Sequence, residues 1–199
     1  MTAVAAAILH AVVLFVLAVF FGSLDVPTSG CIAVMGAWTL LEGHTQSGHD
    51  STEDRPSQWL GLVTATVVVV GVTSIHTGTP LGWSWMVAGL VLRIVSVRTL
   101  GAAFVTSPQS LTKPVTRGSY GVIRHPSELG LLLLLTGVVW STGSRWSAGI
   151  VVVAALPLVL WRVHREDSWW STHASAAHAI YVASRPAFFP GFATRLSPE

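Results

Sequence analysis

G-S-Y-G-V-I-R-H-P-S-E-L-G, residues 118–130, runs directly into L-L-L-L-L-T-G-V-V-W, residues 131–140. The first stretch crowds turn residues, a cation, an imidazole, a proline and a carboxylate together, and the second is an apolar helix candidate. Charged residues make up only 10% of the chain, and an ionisable group at the edge of hydrocarbon is costly to keep. The junction therefore reads as the lip of a polar site opening at a membrane surface. Pro126 suits the first position of a helix, where a missing N–H costs nothing. Ser127 and Glu128 favour a first helical turn, and Gly130 permits close approach of a ligand or a second backbone.

Outward from this junction the chain is apolar, with 51% hydrophobic residues and a mean hydropathy of +0.63. Runs at 4–22, 30–42, 58–75, 81–97, 127–142 and 146–163 approach the ~20 residues that carry a helix across ~30 Å of hydrocarbon. The run at 30–42 is short, and either crosses with a tilt or re-enters. Residues 1–22 lack a basic leader region and further spans follow, so the first run is read as a retained helix. The expectation is an all-α fold: a polytopic transmembrane helix bundle of five or six spans, forming a single membrane domain over 1–199, with a C-terminal helical hairpin and an interfacial tail. Abundant Gly, Ala, Ser and Thr supply the small residues through which such helices pack. Pro157 predicts a kink in the last span.

Charge narrows the partners. The net charge is +2, and Lys113 is the single lysine. No dense basic patch interleaved with aromatics occurs, which argues against nucleic acid, and no required protein partner is implied. Arg93, Arg98, Lys113, Arg117 and Arg124 form the densest basic segment, so the link 99–126 is expected on the cytoplasmic side of a plasma (inner) membrane. Trp83 and Trp85 stand where an interfacial aromatic belt belongs. A lone Cys31 excludes an internal disulfide and a cysteine-based zinc cluster. The loop 43–57 holds His44, His49, Asp50, Glu53 and Asp54, but their spacing fits no strong ligand pattern, and no metal site is predicted.

The last two spans are joined by Ser141–Arg145, a short turn, and so form an antiparallel hairpin. Its return brings Arg162, His164, Arg165, Glu166 and Asp167 to the face that carries Arg124 and His125. Arg124 and Arg162 can fork onto a carboxylate, Glu166 or Asp167 can hold an ammonium or ribose hydroxyls, and His125 can donate or accept. Such a cluster suits a charged cofactor whose reacting end is turned toward lipid. An arginine–glutamate network that only clamps the hairpin ends fits the same spacing. The tail 168–199, rich in Trp, Tyr and Phe, is read as a surface lid or a surface anchor.

Residues 118–130 resemble the G-x-Y-x-x-x-R-H-P-x-Y-x-G signature of the isoprenylcysteine carboxyl methyltransferase and phospholipid methyltransferase superfamily of membrane enzymes. Arg93 with Leu100-Gly101 upstream, Arg162-x-x-x-Glu166-Asp167 downstream, and Tyr181, Pro186 and Pro190 in the tail resemble further elements of its pattern, in order. The resemblance spans about 90–191, while 1–80 match only as generic spans. It implies S-adenosylmethionine as cofactor and a small lipophilic acceptor entering from membrane lipids at the cytoplasmic face. By family role Tyr120, His125, Pro126, Gly130 and Glu166 would line the cofactor site, and Arg124 and Arg162 would orient cofactor or acceptor. The family's second tyrosine is Glu128 here, a residue able to accept a proton, hold a cationic acceptor or face water; Arg185 replaces an apolar residue before Pro186. Two rival classes remain. One is a reductase or isomerase relative acting on an isoprenoid or sterol-like substrate with Glu128 as acid/base. The other is a non-enzymatic membrane binding protein in which the polar cluster is structural.

Overall fold

The computed structural model describes Trp38 and residues 55–73, 79–101, 114–173 and 176–189. Among the described residues all regular structure is helical. The runs expected at 4–22 and 30–42, residues 43–54 of the expected loop 43–57, and most of the basic link around Lys113 lie outside those residues, apart from Trp38, which is buried in the core; residues 55–57 of that loop are instead the start of a helix.

Helix α1 is Arg55–Thr73 and α2 is Pro80–Leu100. A single 3₁₀ turn, Gly118–Gly121, precedes α3, Pro126–Thr142. Helix α4 begins at Arg145–Ile150, passes through π-helical turns at Val151–Ala155 and continues as Leu156–His173. A short α5, Ala176–Ser184, completes the helices. Two stretches, Leu81–Leu100 in α2 and Arg145–Trp170 in α4, are long and apolar enough to cross a membrane. Trp59–Thr73 and Pro126–Thr142 are apolar but shorter, α3 rising only about 25 Å over its length.

Local chemistry sets the ends. Pro80 and Pro126 stand in the first turns of α2 and α3, with φ already suited to a helix. Gly143 closes α3 at φ +66°, a left-handed conformation that costs glycine little, and its N–H donates to Val139 O at 2.8 Å. Ser144 caps α4, accepting from the Ser147 N–H at 3.2 Å. The predicted hairpin of α3 and α4 is therefore present, with a tight turn between its arms.

The second arm departs from expectation in its length. It runs to His173, well past residue 163, so 164–173 extend α4, and a separate short helix, α5, follows it. Pro157 does not stop it. Proline has no N–H to give back four residues, and its ring crowds the preceding turn. The wider turns at Val151–Ala155, just upstream, are where the helix accommodates this.

The tightest packing lies between α2 and α3, which run antiparallel with glycines facing each other. A Cβ on Gly89 would sit 2.5 Å from Gly130 O and from Leu134 N, and one on Gly82 would sit 2.4 Å from Ser141 N. Gly137 likewise abuts Met86, at 2.5 Å from its N, and Gly82 O at 2.7 Å. Only glycine lets two backbones approach this closely, the device by which helices associate in lipid. Thr79 N donates to Trp140 O at 3.0 Å and closes the far end of the seam. Helix α1 leans on the hairpin turn: Ser147 Oγ donates to Val67 O at 2.9 Å. Met86, Leu131, Leu134, Leu135, Val138 and Val159 fill the centre.

Around this core the outer faces are apolar. Val87, Val91 and Val95 on α2 and Val152, Val153, Leu156 and Leu160 on α4 are exposed. At the hairpin-turn end Trp85 and Trp140 lie 6.3 Å apart and Trp146 is exposed. Towards the other end Trp161 lies under the Arg165 guanidinium, 5.7 Å away. Aromatic rings near both ends of the apolar zone match interfacial belts.

Candidate active site

The polar cluster forms where the glycine seam ends. Gly118, at φ +59°, starts the 3₁₀ turn against Thr99 at the end of α2, and the Arg117 guanidinium donates to Thr99 O at 3.2 Å. This fastens the 118–125 segment across the ends of α2 and α3. Tyr120 and Ile123 point inward and are buried.

Arg124 and His125 meet α4 directly. Arg124 Nη1 lies 2.6 Å from Asp167 Oδ2, in ion-pair contact though without the alignment of a good hydrogen bond. His125 Nε2 is 3.0 Å from Asp167 Oδ1, and its Nδ1 faces Glu166 Oε2 at 3.9 Å. One imidazole is thus held between two carboxylates from adjacent positions of α4. Burial opposes charging His125, but its hydrogen bond to Asp167 and the nearby Glu166, Glu128 and Asp167 carboxylates outweigh that, so its pKa is raised.

Deeper in, three helices contribute one charge each. Arg162 Nε from α4 is 3.6 Å from Glu128 Oε1 on α3. Arg93 from α2, almost fully buried, donates through Nη1 to Ser127 O at 3.0 Å and Ser127 Oγ at 2.9 Å, and lies within electrostatic reach of Glu128. The Glu128 side chain is only 8% exposed, so it does not face water, one of the three roles left open for it. The Glu166 side chain, in contrast, is 38% exposed and opens the cluster to the surface.

The C-terminal segment straps the cluster. The backbone N–H groups of Arg124 and His125 donate to Pro186 O and Ala187 O, each at 3.0 Å, and Arg124 Nε donates to Arg185 O at 3.0 Å. Tyr181 Oη donates to Tyr120 O at 3.0 Å, and the Phe188 ring lies 6.3 Å from the His125 ring. Arg185 is explained here. Its Nε donates to Gly121 O, and its guanidinium stacks 5.5 Å over Tyr181. Burial pushes the Tyr181 phenol up to about 12, and burial with the Glu128 and Glu166 carboxylates pushes Tyr120 higher still. Both remain neutral at physiological pH.

Of the residues expected at the site, Tyr120, Arg124, His125, Pro126, Glu128, Arg162 and Glu166 gather in one place, and Gly130 serves the seam, 2.8 Å from Gly89 O at its Cβ position. His164 and Arg165 do not join them; both are exposed on the other side of α4. Arg98 is also exposed, five residues and about 140° around α2 from buried Arg93. Asp167 was one of two interchangeable carboxylates on sequence grounds, yet it is the one that pairs with both Arg124 and His125. Ser127 as partner of Arg93, and Phe188 beside His125, carried no sequence signal. Among the described residues no cluster of His, Cys, Asp and Glu is arranged to hold a metal ion.

Residues 77–173, just under half of the chain, match the family model described as Phospholipid methyltransferase. That stretch contains α2, α3, α4 and most of the cluster, and it bears out the resemblance to the membrane methyltransferase superfamily. No curated protein and no solved structure matched the chain.

Proposed function

We propose, from the premise that residues 77–173 form a phospholipid methyltransferase-family segment, that this protein transfers a methyl group from S-adenosylmethionine to a small lipophilic acceptor at a membrane surface. The observation that carries the reading is the meeting of Arg124–His125 with Arg162–Asp167, two segments separated by the whole hairpin. The donor set suits the cofactor: an accessible carboxylate at Glu166 for an ammonium or ribose hydroxyls, buried neutral phenols, and arginines fixed by carboxylates and backbone carbonyls.

When bound, S-adenosylmethionine supplies an electrophilic methyl group on a sulfonium, displaced in line by the acceptor's lone pair with the carbon–sulfur pair left on sulfur. In this reading Glu166, faced by the His125 ring, holds the polar end of the cofactor beside Tyr120 and Pro126. Arg124 and Arg162 orient cofactor and acceptor. Glu128 takes the proton that an amine or hydroxyl acceptor sheds; a carboxylate acceptor sheds none. The chain's contribution is otherwise alignment and exclusion of water, which can account for most of the acceleration of such a displacement. In this reading the chain has five or six spans, and the exposed valines of α2 and α4 face lipid. Exposed Arg98, Arg117 and Arg165 at the site end support a cytoplasmic placement in the same reading, by the positive-inside rule.

The test is cofactor binding by the full chain in lipid nanodiscs, read by titration calorimetry. Wild type is expected to bind S-adenosylmethionine, and Glu166→Gln to weaken it by about tenfold or more with an unchanged melting temperature. Absence of binding by wild type overturns the reading, and binding of NADPH instead favours the reductase class.

A further inference from the structure

Resting on the methyltransferase reading, we propose that Glu128 sets the charge of the acceptor: its carboxylate serves Arg93 and Arg162 from within the protein, so the site takes an acceptor whose reacting end is neutral or cationic and rejects one whose reacting end is an anion.

Glu128 stands at the tyrosine position of the signature that residues 118–130 resemble, so the feature belongs to this chain. It is one helical turn beyond His125 on α3, 8% exposed, with Arg162 Nε 3.6 Å away on α4 and Arg93 within electrostatic reach on α2. Arg93 is 3% exposed and the Arg162 side chain 21%. Buried guanidinium groups require a counter-charge. With an uncharged residue at 128, an incoming carboxylate or phosphate would supply it and be drawn to that spot. With Glu128 present, an anionic reacting end would share a poorly solvated space with a fixed carboxylate, an arrangement in which like charges repel strongly. A neutral or cationic end meets no such repulsion. The remaining titratable groups sit around the mouth, with Arg185 held on Gly121 O and stacked over Tyr181. Glu166 and Asp167 add negative charge at the mouth, Arg124 and His125 are already engaged by them, and Tyr120 and Tyr181 are neutral.

The experiment uses three probes with one tail: dodecanoate, dodecylamine and dodecanol. Each is titrated into the full chain in nanodiscs and followed by tryptophan fluorescence, and each is then offered with labelled S-adenosylmethionine. Wild type is expected to favour the amine and the alcohol over the carboxylate by about tenfold or more, and Glu128→Gln to bring the carboxylate level with them or ahead. Glu128→Tyr, which restores the signature residue, should shift the ratio the same way, so that misfolding of one variant does not leave the question open. Equal wild-type affinity for carboxylate and amine overturns the proposal, as does a ratio that neither substitution moves. The binding arm needs no turnover. A protein that sorts the probes by charge yet transfers no methyl group sinks the methyltransferase reading and leaves charge selection by Glu128 standing.

Discussion

His125 spends every polar group it has. Its N–H goes to Ala187 O, its carbonyl accepts from Leu129 N at 3.1 Å, and its two ring nitrogens face Asp167 and Glu166. Because its pKa is raised in the folded protein, the stabilisation that comes from the imidazolium is fully present below the ordinary value of 6.5 and is lost as pH rises through the folded value. The melting temperature of wild type should therefore fall from about pH 6 to about pH 8, and the His125→Gln variant should lack that part of the slope. Melting curves across this range decide the matter; parallel profiles for the two proteins would mean that the imidazolium contributes nothing. The charge of Glu128 belongs to the same scale, since one carboxylate among arginines separates anionic from cationic acceptors.

Among the elements, the glycine seam is the most demanding. Gly82, Gly89, Gly130 and Gly137 hold α2 and α3 at a distance no side chain tolerates, and the seam leads straight to Arg93, Ser127 and the site. Gly89→Ala would place a methyl group 2.5 Å from the backbone of Gly130 and Leu134. Backbone cannot yield as a flexible side chain does, so the helices must part, at a cost of about 1–3 kcal/mol. Gly149, on the open face of α4, has nothing within 4 Å of its Cβ position. Gly149→Ala should be neutral or stabilise by up to about 1 kcal/mol through helix propensity alone. Thermal unfolding of the pair in one detergent distinguishes seam from propensity: equal melting temperatures would show that the close approach is unimportant.

At the scale of the whole molecule the two ends of the hairpin differ in character. One end carries Trp85, Trp140, Trp146 and the turn at Gly143, the other the ion-paired cluster and its C-terminal strap. Helix α4 joins them with 26 residues from Arg145 to Trp170, about 39 Å of helix, enough to cross the ~30 Å of hydrocarbon. In a Cys31→Ser background, Arg117→Cys and Arg145→Cys, both at exposed positions, should react with a membrane-impermeant thiol reagent from opposite sides of sealed vesicles. Labelling of both from one side would mean that α3, which lies between them, does not cross, nor α4, whose far end is held at Arg124.

Much of this was written in the chain itself. Pro126 and Gly143 fix where α3 begins and ends, the apolar run between them makes it a membrane-type helix, and the short turn after it forces α4 back, so Arg162 and Glu166 had to return to the level of Arg124 and His125. These are consequences of local backbone chemistry and of length. Which side chains then touch depends on helix rotation, and that was decided in three dimensions. The π turns at Val151–Ala155 change the winding of α4 ahead of its charged end, so a 3.6-residue period carried across them misjudges the phase. Within 162–167 the ordinary helical period keeps Arg162 and Glu166 on one face and turns His164 and Arg165 outward, while packing decides that Asp167 takes both Arg124 and His125. The burial of Glu128 between Arg162 and Arg93, and the backbone pairing of 124–125 with 186–187, are likewise products of packing. They join residues far apart in the chain, whose meeting no local pattern encodes.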